Sequence, residues 1–264
     1  MTSASADLAL ALRLANAADA ISIARYESAD LHVETKPDRT FVTDADQAVE
    51  ARIREMLATE RPDDAFFGEE TGRDGTSNRQ WIVDPIDGTS NFLRGVPVWG
   101  TLISLVIDEQ PIVGVVSAPA LRMRWWAERG GGAFKSEFGG EPTQMHVSAV
   151  RELSAASLSF QSIAQWRDAG YLDRLLELSA KVWRDRAYGD LWPYMLLADG
   201  RLDAVAEFDV KPYDLAALVP IVEEAGGRFT AVTGETGPWH GSALATNGLL
   251  HDDILTQLSP GRTR

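Results

Sequence analysis

The stretch from Trp81 to Thr89, WIVDPIDGT, constrains this chain more than any other. Gln80 to Val83 is a short apolar run with β-branched members, and it predicts a strand that delivers Asp84 at its carboxyl end. Pro85 fixes its own φ and biases Asp84 away from the α region. Regular structure is therefore expected to stop there and turn, with the Ile86 carbonyl and the Asp87 carboxylate held beside Asp84. Two carboxylates and a carbonyl at one turn are hard oxygen donors, and they suit magnesium, which keeps several waters and shares its shell with a substrate phosphate. Gly88 lets a ligand approach the backbone, and Thr89 is a candidate N-cap of a helix whose free amides favour an anion. A lone D-x-x-D is more often an Asp-rich turn with a helix cap, so support has to come from elsewhere in the chain.

Three other segments carry acids. FFGEE, Phe66 to Glu70, ends in adjacent carboxylates that repel one another, which a nearby cation would explain. A solvated loop explains them too, because the following TGRDGTSNR reads as flexible. Lys36 to Asp46 reads KPDRTFVTDAD, and an amphipathic helix is expected after it with Val49, Ile53, Met56 and Leu57 on one face. Asp46 in its first turn could simply favour the helix dipole. Asp214, in KPYDLAALVPIVEEAGG, sits where a helix is expected to begin and could be an N-cap.

Together and in this order, these segments resemble the inositol monophosphatase family of magnesium-dependent, lithium-sensitive small-molecule phosphatases. The resemblance runs over nearly the whole chain, through VTDAD, GEE, WIVDPIDGTSNF, PIVGVVSAP, GGGAF, the YD before a helix ending EEAGG, and a late ATN. It implies that Glu69, Asp84, Asp87 and Asp214 are side-chain metal ligands, that the Ile86 carbonyl is a backbone ligand, and that Asp84 bridges two ions. It also implies that Glu69 and Thr89 position the attacking water, that Asp46 polarises the Thr89 hydroxyl, and that the amides of Gly88 and Thr89 bind phosphate. Four ionised carboxylates and a phosphate dianion carry six negative charges, which about three divalent cations would balance, so two to three magnesium ions are expected, with lithium inhibiting. The implied reaction is in-line displacement by water without a phosphoenzyme. No cysteine is present to act as a nucleophile, and no serine–histidine arrangement is legible.

Substrate choice is expected to lie in Arg186 to Tyr194, RAYGDLWPY. Inositol-type members usually follow the glycine with small residues, whereas Gly189 is followed by Asp190, Leu191 and Trp192. The R-x-x-G-D-x-x-x-Y pattern resembles the histidinol-phosphate phosphatase branch, especially its actinobacterial members. Asp190 would then pair with the substrate ammonium. Glu207 matches the family position that contacts the substrate alcohol, and Asp214 borders the same space. Asp209 is as readily a solvated strand end. Arg186 is read as a structural partner of the acids ahead of a phosphate contact, and Trp192 and Tyr194 as core ahead of imidazole packing. The expected function is hydrolysis of L-histidinol phosphate to L-histidinol and phosphate, late in histidine biosynthesis. The alternatives are an inositol-1-monophosphatase or broader sugar phosphatase and, from another class, a non-catalytic regulatory binding protein.

At 264 residues and 45% hydrophobic content, the chain can bury a large core. A single phosphatase domain over 7–258 is expected, with halves at about 7–150 and 151–258 and the site between them. Zero cysteines exclude disulfides and thiolate metal sites and fit a cytoplasmic location, and the four histidines lack zinc spacing. A net charge of −14 argues against nucleic acid or an anionic membrane as partner, leaving a small phosphate monoester and, by resemblance, a homodimer. MTSASAD has neither the basic start nor the apolar run of a signal peptide and reads as a lead-in to a first helix with Asp7 as N-cap. No run approaches the ~18 apolar residues of a membrane span. Strands are expected at Val98–Asp108, Pro111–Ala118 and Met123–Glu128, paired antiparallel, with Gly130–Gly132 as turn glycines. Helices around Leu172–Lys181, Leu191–Ala198 and Leu215–Ala225 are expected to alternate with strands near Ala204–Phe208 and Ala243–Thr246. The fold class is α/β, and the resemblance implies a layered α-β-α-β-α sandwich.

Overall fold

The computed structural model describes residues 5–36 and 41–259. Met1–Ala4, expected as the lead-in, and Pro37–Thr40 of the KPDRT stretch lie outside them. Helix α1 (Ala6–Arg25) starts at Ser5, whose hydroxyl accepts the Leu8 N–H. Asp7 is therefore not the cap. It lies inside the first turn, where it pairs with Arg61 at 2.9 Å and Arg79 at 3.1 Å. Strand β1 (Val33–Thr35) pairs antiparallel with β2 (Phe41–Thr43), which leads into α2 (Asp44–Glu60), and α2 opens with a reciprocal capping box between Thr43 and Asp46.

The larger sheet has eight strands in the order β10-β9-β8-β7-β6-β5-β3-β4. They are β3 (Ala65–Gly68), β4 (Gly72–Asp74), β5 (Arg79–Asp87), β6 (Gly100–Ile107), β7 (Gln110–Ala118), β8 (Met123–Glu128), β9 (Gly132–Glu137) and β10 (Thr143–Gln144). Pro85 does not end its strand: β5 runs on to Asp87, and the pairing with β6 bulges between Asp84 and Asp87. A bulge suits proline because it has no N–H to leave unpaired, and its carbonyl accepts the Thr101 hydroxyl at 2.8 Å. The segment after GEE is not simply a loop, since β4 pairs antiparallel with β3 at the sheet edge.

The smaller sheet has the order β12-β11-β13-β15-β14. Its strands are β11 (Ser157–Ser159), β12 (Arg184–Arg186), β13 (Ala204–Phe208), β14 (Arg228–Thr230) and β15 (Ser242–Thr246). Alternation along the strands builds the layers. Ile103, Val113 and Val115 pack against α1 and α2, whereas Leu102, Val116 and Ala118 face the opposite way. That second face packs on α6 (Trp192–Ala198) and α8 (Leu218–Glu224), which also cover Val205 and Ala245 of the smaller sheet. The outer face of the smaller sheet, with Ala204, Ala206 and Leu244, is closed by α4 (Ile163–Asp168), α5 (Leu172–Ser179) and α9 (His251–Leu258). The result is the expected α-β-α-β-α sandwich.

The helix expected over Leu215–Ala225 is split into α7 (Pro212–Leu215) and α8. Pro220 has no N–H to give the Ala216 carbonyl, which accepts the Ser104 hydroxyl of β6 at 3.1 Å. This break ties the middle helices to the larger sheet beside the acidic turn.

Candidate active site

Strands β3 and β5 are parallel neighbours, so their carboxyl ends emerge at the same edge. Gly68 lies opposite Val83, and the Glu69 N–H donates to the Val83 carbonyl at 3.1 Å. Glu69 and Glu70 are thereby brought beside the buried Asp84. Past the bulge, the half-buried Asp87 accepts the Leu191 N–H at 2.6 Å, so the GDL segment is docked on the end of β5. Asp214, in the first turn of α7, accepts the Lys211 N–H at 2.7 Å. It is the third helical residue, not the N-cap.

Burial and mutual repulsion disfavour ionisation of these acids. Asp84 is pushed well above the usual carboxylate range by burial, then by the charges of Glu69, Asp87, Asp214 and Asp46. Asp87 is pushed well above it by burial, then by Asp190 and Asp214. Asp214 rises to about 7, chiefly through burial, against the bond from Lys211 and with the charge of Glu69. Glu207 rises to about 8 through burial, although the Tyr194 bond opposes the shift. Six acids, Glu69, Asp84, Asp87, Asp190, Glu207 and Asp214, thus share one field at the junction of the two sheets' layers.

The donor set fits a hard divalent cation. Among the described residues, Oδ1 of Asp84 and Oδ1 of Asp46 are buried without a hydrogen-bond partner. A cation would supply the partner and favour the ionised forms. Among the described residues, however, no three acidic or histidine side chains close on one point as an assembled ion site does. The expected ligands form a shared field and not a finished coordination shell. The cation beside Glu69 and Glu70 in this structure is Lys36, whose ammonium lies 2.8 Å from a carboxylate oxygen of each. Burial opposes the lysine's charge, but these two partners hold its pKa above the ordinary value.

The one-turn helix α3 (Thr89–Leu93) is capped by Gly88 at φ +84°, and Thr89 is its first residue instead of its cap. The left-handed backbone at residue 88 is the reason glycine takes the cap. The Thr89 hydroxyl donates to the Ile86 carbonyl at 3.0 Å, while Asp46 Oδ2 accepts the Thr43 N–H at 2.8 Å and the Thr43 hydroxyl. The expected contact between Asp46 and Thr89 is therefore not made here, because the capping box of α2 and the tight turn of α3 each offer a nearer partner.

On the second half's side, Asp190 holds a left-handed backbone at φ +52°. Its N–H donates to Gln161 Oε1 at 2.9 Å, and its carboxylate accepts the Asn91 amide at 2.8 Å. Glu207, buried on β13, accepts the Tyr194 hydroxyl. Tyr194 is fully buried and stacks on Phe229, so it is core, and the part-buried Trp192 packs against the edge of Trp125 at the margin of that core. Arg186 is exposed and donates to the Asp185 carbonyl at 2.6 Å, not to the acid cluster. Asp209 is exposed and paired with Lys211 at 2.9 Å. Lys36, Asn91 and Gln161 were not singled out as site residues by the sequence. Asn91 lies inside the WIVDPIDGTSNF stretch, but Gln161 carries no local signal, since only folding brings it to Asp190.

The sequence profile of the inositol monophosphatase family matches residues 5–261. A histidinol-phosphatase of Mycobacterium tuberculosis is 55% identical over 256 residues, covering 97% of this chain and 98% of that protein. A histidinol-phosphatase of Streptomyces coelicolor is 50% identical over 257 residues, covering 96% and 97%. Among solved structures, the extragenic suppressor protein suhB of Bartonella henselae superposes with a TM-score of 0.87 at 29% identity, covering 97% of this chain and all of that one (100%). An inositol monophosphatase from Zymomonas mobilis superposes with a TM-score of 0.84 at 30% identity, over 97% and 100% of the two chains.

Proposed function

The chain belongs to the inositol monophosphatase family of metal-dependent phosphatases acting on small phosphate monoesters, and on that premise we propose that it hydrolyses L-histidinol phosphate with magnesium as cofactor. The observation that carries this reading is Asp190, an extra acid held against the acidic end of β5 by the Leu191–Asp87 bond. It supplies an anion where an aminated substrate needs one and a polyhydroxy ring does not.

On this reading Glu69, Asp84, Asp87 and Asp214, with the Ile86 carbonyl, hold two to three magnesium ions, and lithium inhibits. Bound there, magnesium supplies polarisation of the phosphoryl group and neutralises charge on the leaving alkoxide. Glu69 and the Thr89 hydroxyl orient the attacking water, which requires the hydroxyl to leave the Ile86 carbonyl and turn to Asp46. The amides of Gly88 and Thr89 receive the phosphate oxygens, and Asp190, Glu207 and Asp214 receive the amine and the alcohol portion. Residues 7–258 work as one phosphatase domain whose halves, about 7–150 and 151–258, meet at the site, in a cytoplasmic homodimer.

The test is phosphate release with magnesium, comparing kcat/KM for L-histidinol phosphate and inositol 1-phosphate, with EDTA as control. A preference for histidinol phosphate of about a hundredfold, near 2.7 kcal/mol, is expected. Comparable or reversed values would make this an inositol-type or general phosphatase, and inactivity on both would favour a non-catalytic binding role.

A further inference from the structure

Helix α2 carries a second acid on the face of Asp46. Glu50, one turn further on, is fully buried. Its carboxylate accepts the backbone N–H groups of Glu70 and Thr71, each at 2.9 Å, and the Thr71 hydroxyl. Both oxygens of a buried carboxylate are thus engaged by neutral donors from the turn between β3 and β4. Such charge-assisted bonds are stronger than neutral ones, and a turn held by three of them has little freedom.

Gly68 shows how close this approach is. A Cβ built there would lie 2.3 Å from Glu50 Cδ and Oε2, and Gly68 is not among the residues with positive φ. The glycine of GEE is therefore required by the carboxylate pressed against its Cα, not by its backbone conformation. Glu69 is bracketed as a result. Its own N–H is held by Val83, and the N–H of the next residue is held by Glu50. Arg54, a further turn along α2, donates to the Thr71 hydroxyl oxygen and to Asp74, both at 2.7 Å, closing the turn from outside.

We propose that Glu50 is a positioning residue, a buried clasp that sets the direction in which Glu69 and Glu70 leave β3 and so aims Glu69 at Asp84. This inference rests on the reading of Glu69 as a magnesium and water ligand. Glu50 touches no reacting atom and acts only through the backbone of the turn.

The experiment compares Glu50→Gln, Thr71→Val and Glu69→Gln in the full chain by calorimetric titration of metal-free protein with Mg2+, thermal melting, and steady-state kinetics on a phosphate monoester. Glu50→Gln turns an amide toward donors that need an acceptor. It is expected to lower Mg2+ affinity and kcat by about 10- to 100-fold while KM for the ester moves less than about threefold. Thr71→Val, which removes one of the three bonds to Glu50 together with the exposed bond from Arg54, is expected to lose several-fold in Mg2+ affinity at a nearly unchanged Tm, and it carries the test if Glu50→Gln fails to fold. A folded Glu50→Gln, or in its place Thr71→Val, that binds Mg2+ within about twofold of wild type overturns the clasp. Glu69→Gln losing Mg2+ while Glu50→Gln keeps it overturns the clasp alone. Glu69→Gln binding Mg2+ like wild type overturns the ligand reading and the clasp with it.

Discussion

Asp190 is bound three ways: its N–H to Gln161, its carboxylate to Asn91, and its neighbour's N–H to Asp87. Asp190→Asn keeps the shape and removes the charge. KM for histidinol phosphate is expected to rise about tenfold or more, and KM for an uncharged sugar phosphate much less; equal effects on both would refute the amine contact. Asp87→Asn is expected to abolish turnover while leaving the circular-dichroism spectrum native, and undiminished turnover would refute its assignment as a ligand. Away from the site, His251 is buried between Thr230 and Thr246, each at 3.0 Å. Thr230 gives its own proton to the Ala231 carbonyl, so it accepts from Nε2–H and Thr246 donates to Nδ1, which assigns the neutral tautomer from the bond network. Burial, then Arg228, lowers the histidine to about 4 from an ordinary 6.5. The unfolded chain therefore binds more protons than the folded one between those two values. Stability is fully present above the unfolded pKa and falls as pH drops through that window, by a slope of up to about one proton. Urea unfolding of His251→Asn at intervals from pH 7.5 to 4.5 should show a lower but flatter curve, and an unchanged slope would exclude His251 as its source.

Among the elements, the contact between β7 and α8 decides how closely the middle helices approach the larger sheet. A Cβ on Gly114 would lie 2.1 Å from the Ala217 carbonyl oxygen and 2.8 Å from Pro220 Cγ, so the backbones there touch. Gly114→Ala has to push α8 outward and is expected to cost about 1–3 kcal/mol or more, read as a lowered Tm. Because α7 and Asp214 directly precede α8, turnover should fall beyond what the lost stability explains; a melting point within a degree or so of wild type would contradict the packing. The apolar strand runs and the amphipathic stripe of α2 were legible because periodicity is a local property. The bulge at Pro85 and the split at Pro220 were not, because each depends on a hydroxyl from β6, Thr101 or Ser104, that satisfies a carbonyl from another segment.

For the molecule as a whole, a net charge of −14 with a cluster of buried acids makes the metal-free form the weaker one. Magnesium at a hundred times its dissociation constant should stabilise the fold by about 2.7 kcal/mol per site, raising Tm by roughly 5–10 °C, reversibly with EDTA. An unmoved melting point would argue against a divalent site. Among the described residues no helix is long and apolar enough to cross a membrane. The order VTDAD, GEE, WIVDPIDGT and the late YD already pointed to the family and the layered α/β class, and it put forward the acids proposed as ligands, because a cation and phosphate site would demand particular residues at close spacing along the chain. The partners of those acids came from folding. Glu50 beneath the GEE turn, Lys36 on Glu69 and Glu70, Gln161 and Asn91 around Asp190, and Tyr194 on Glu207 all meet across sequence separations no local pattern reports. Local chemistry selects which groups are needed, and the packing of two sheets around one helical layer selects which distant side chains hold them in place.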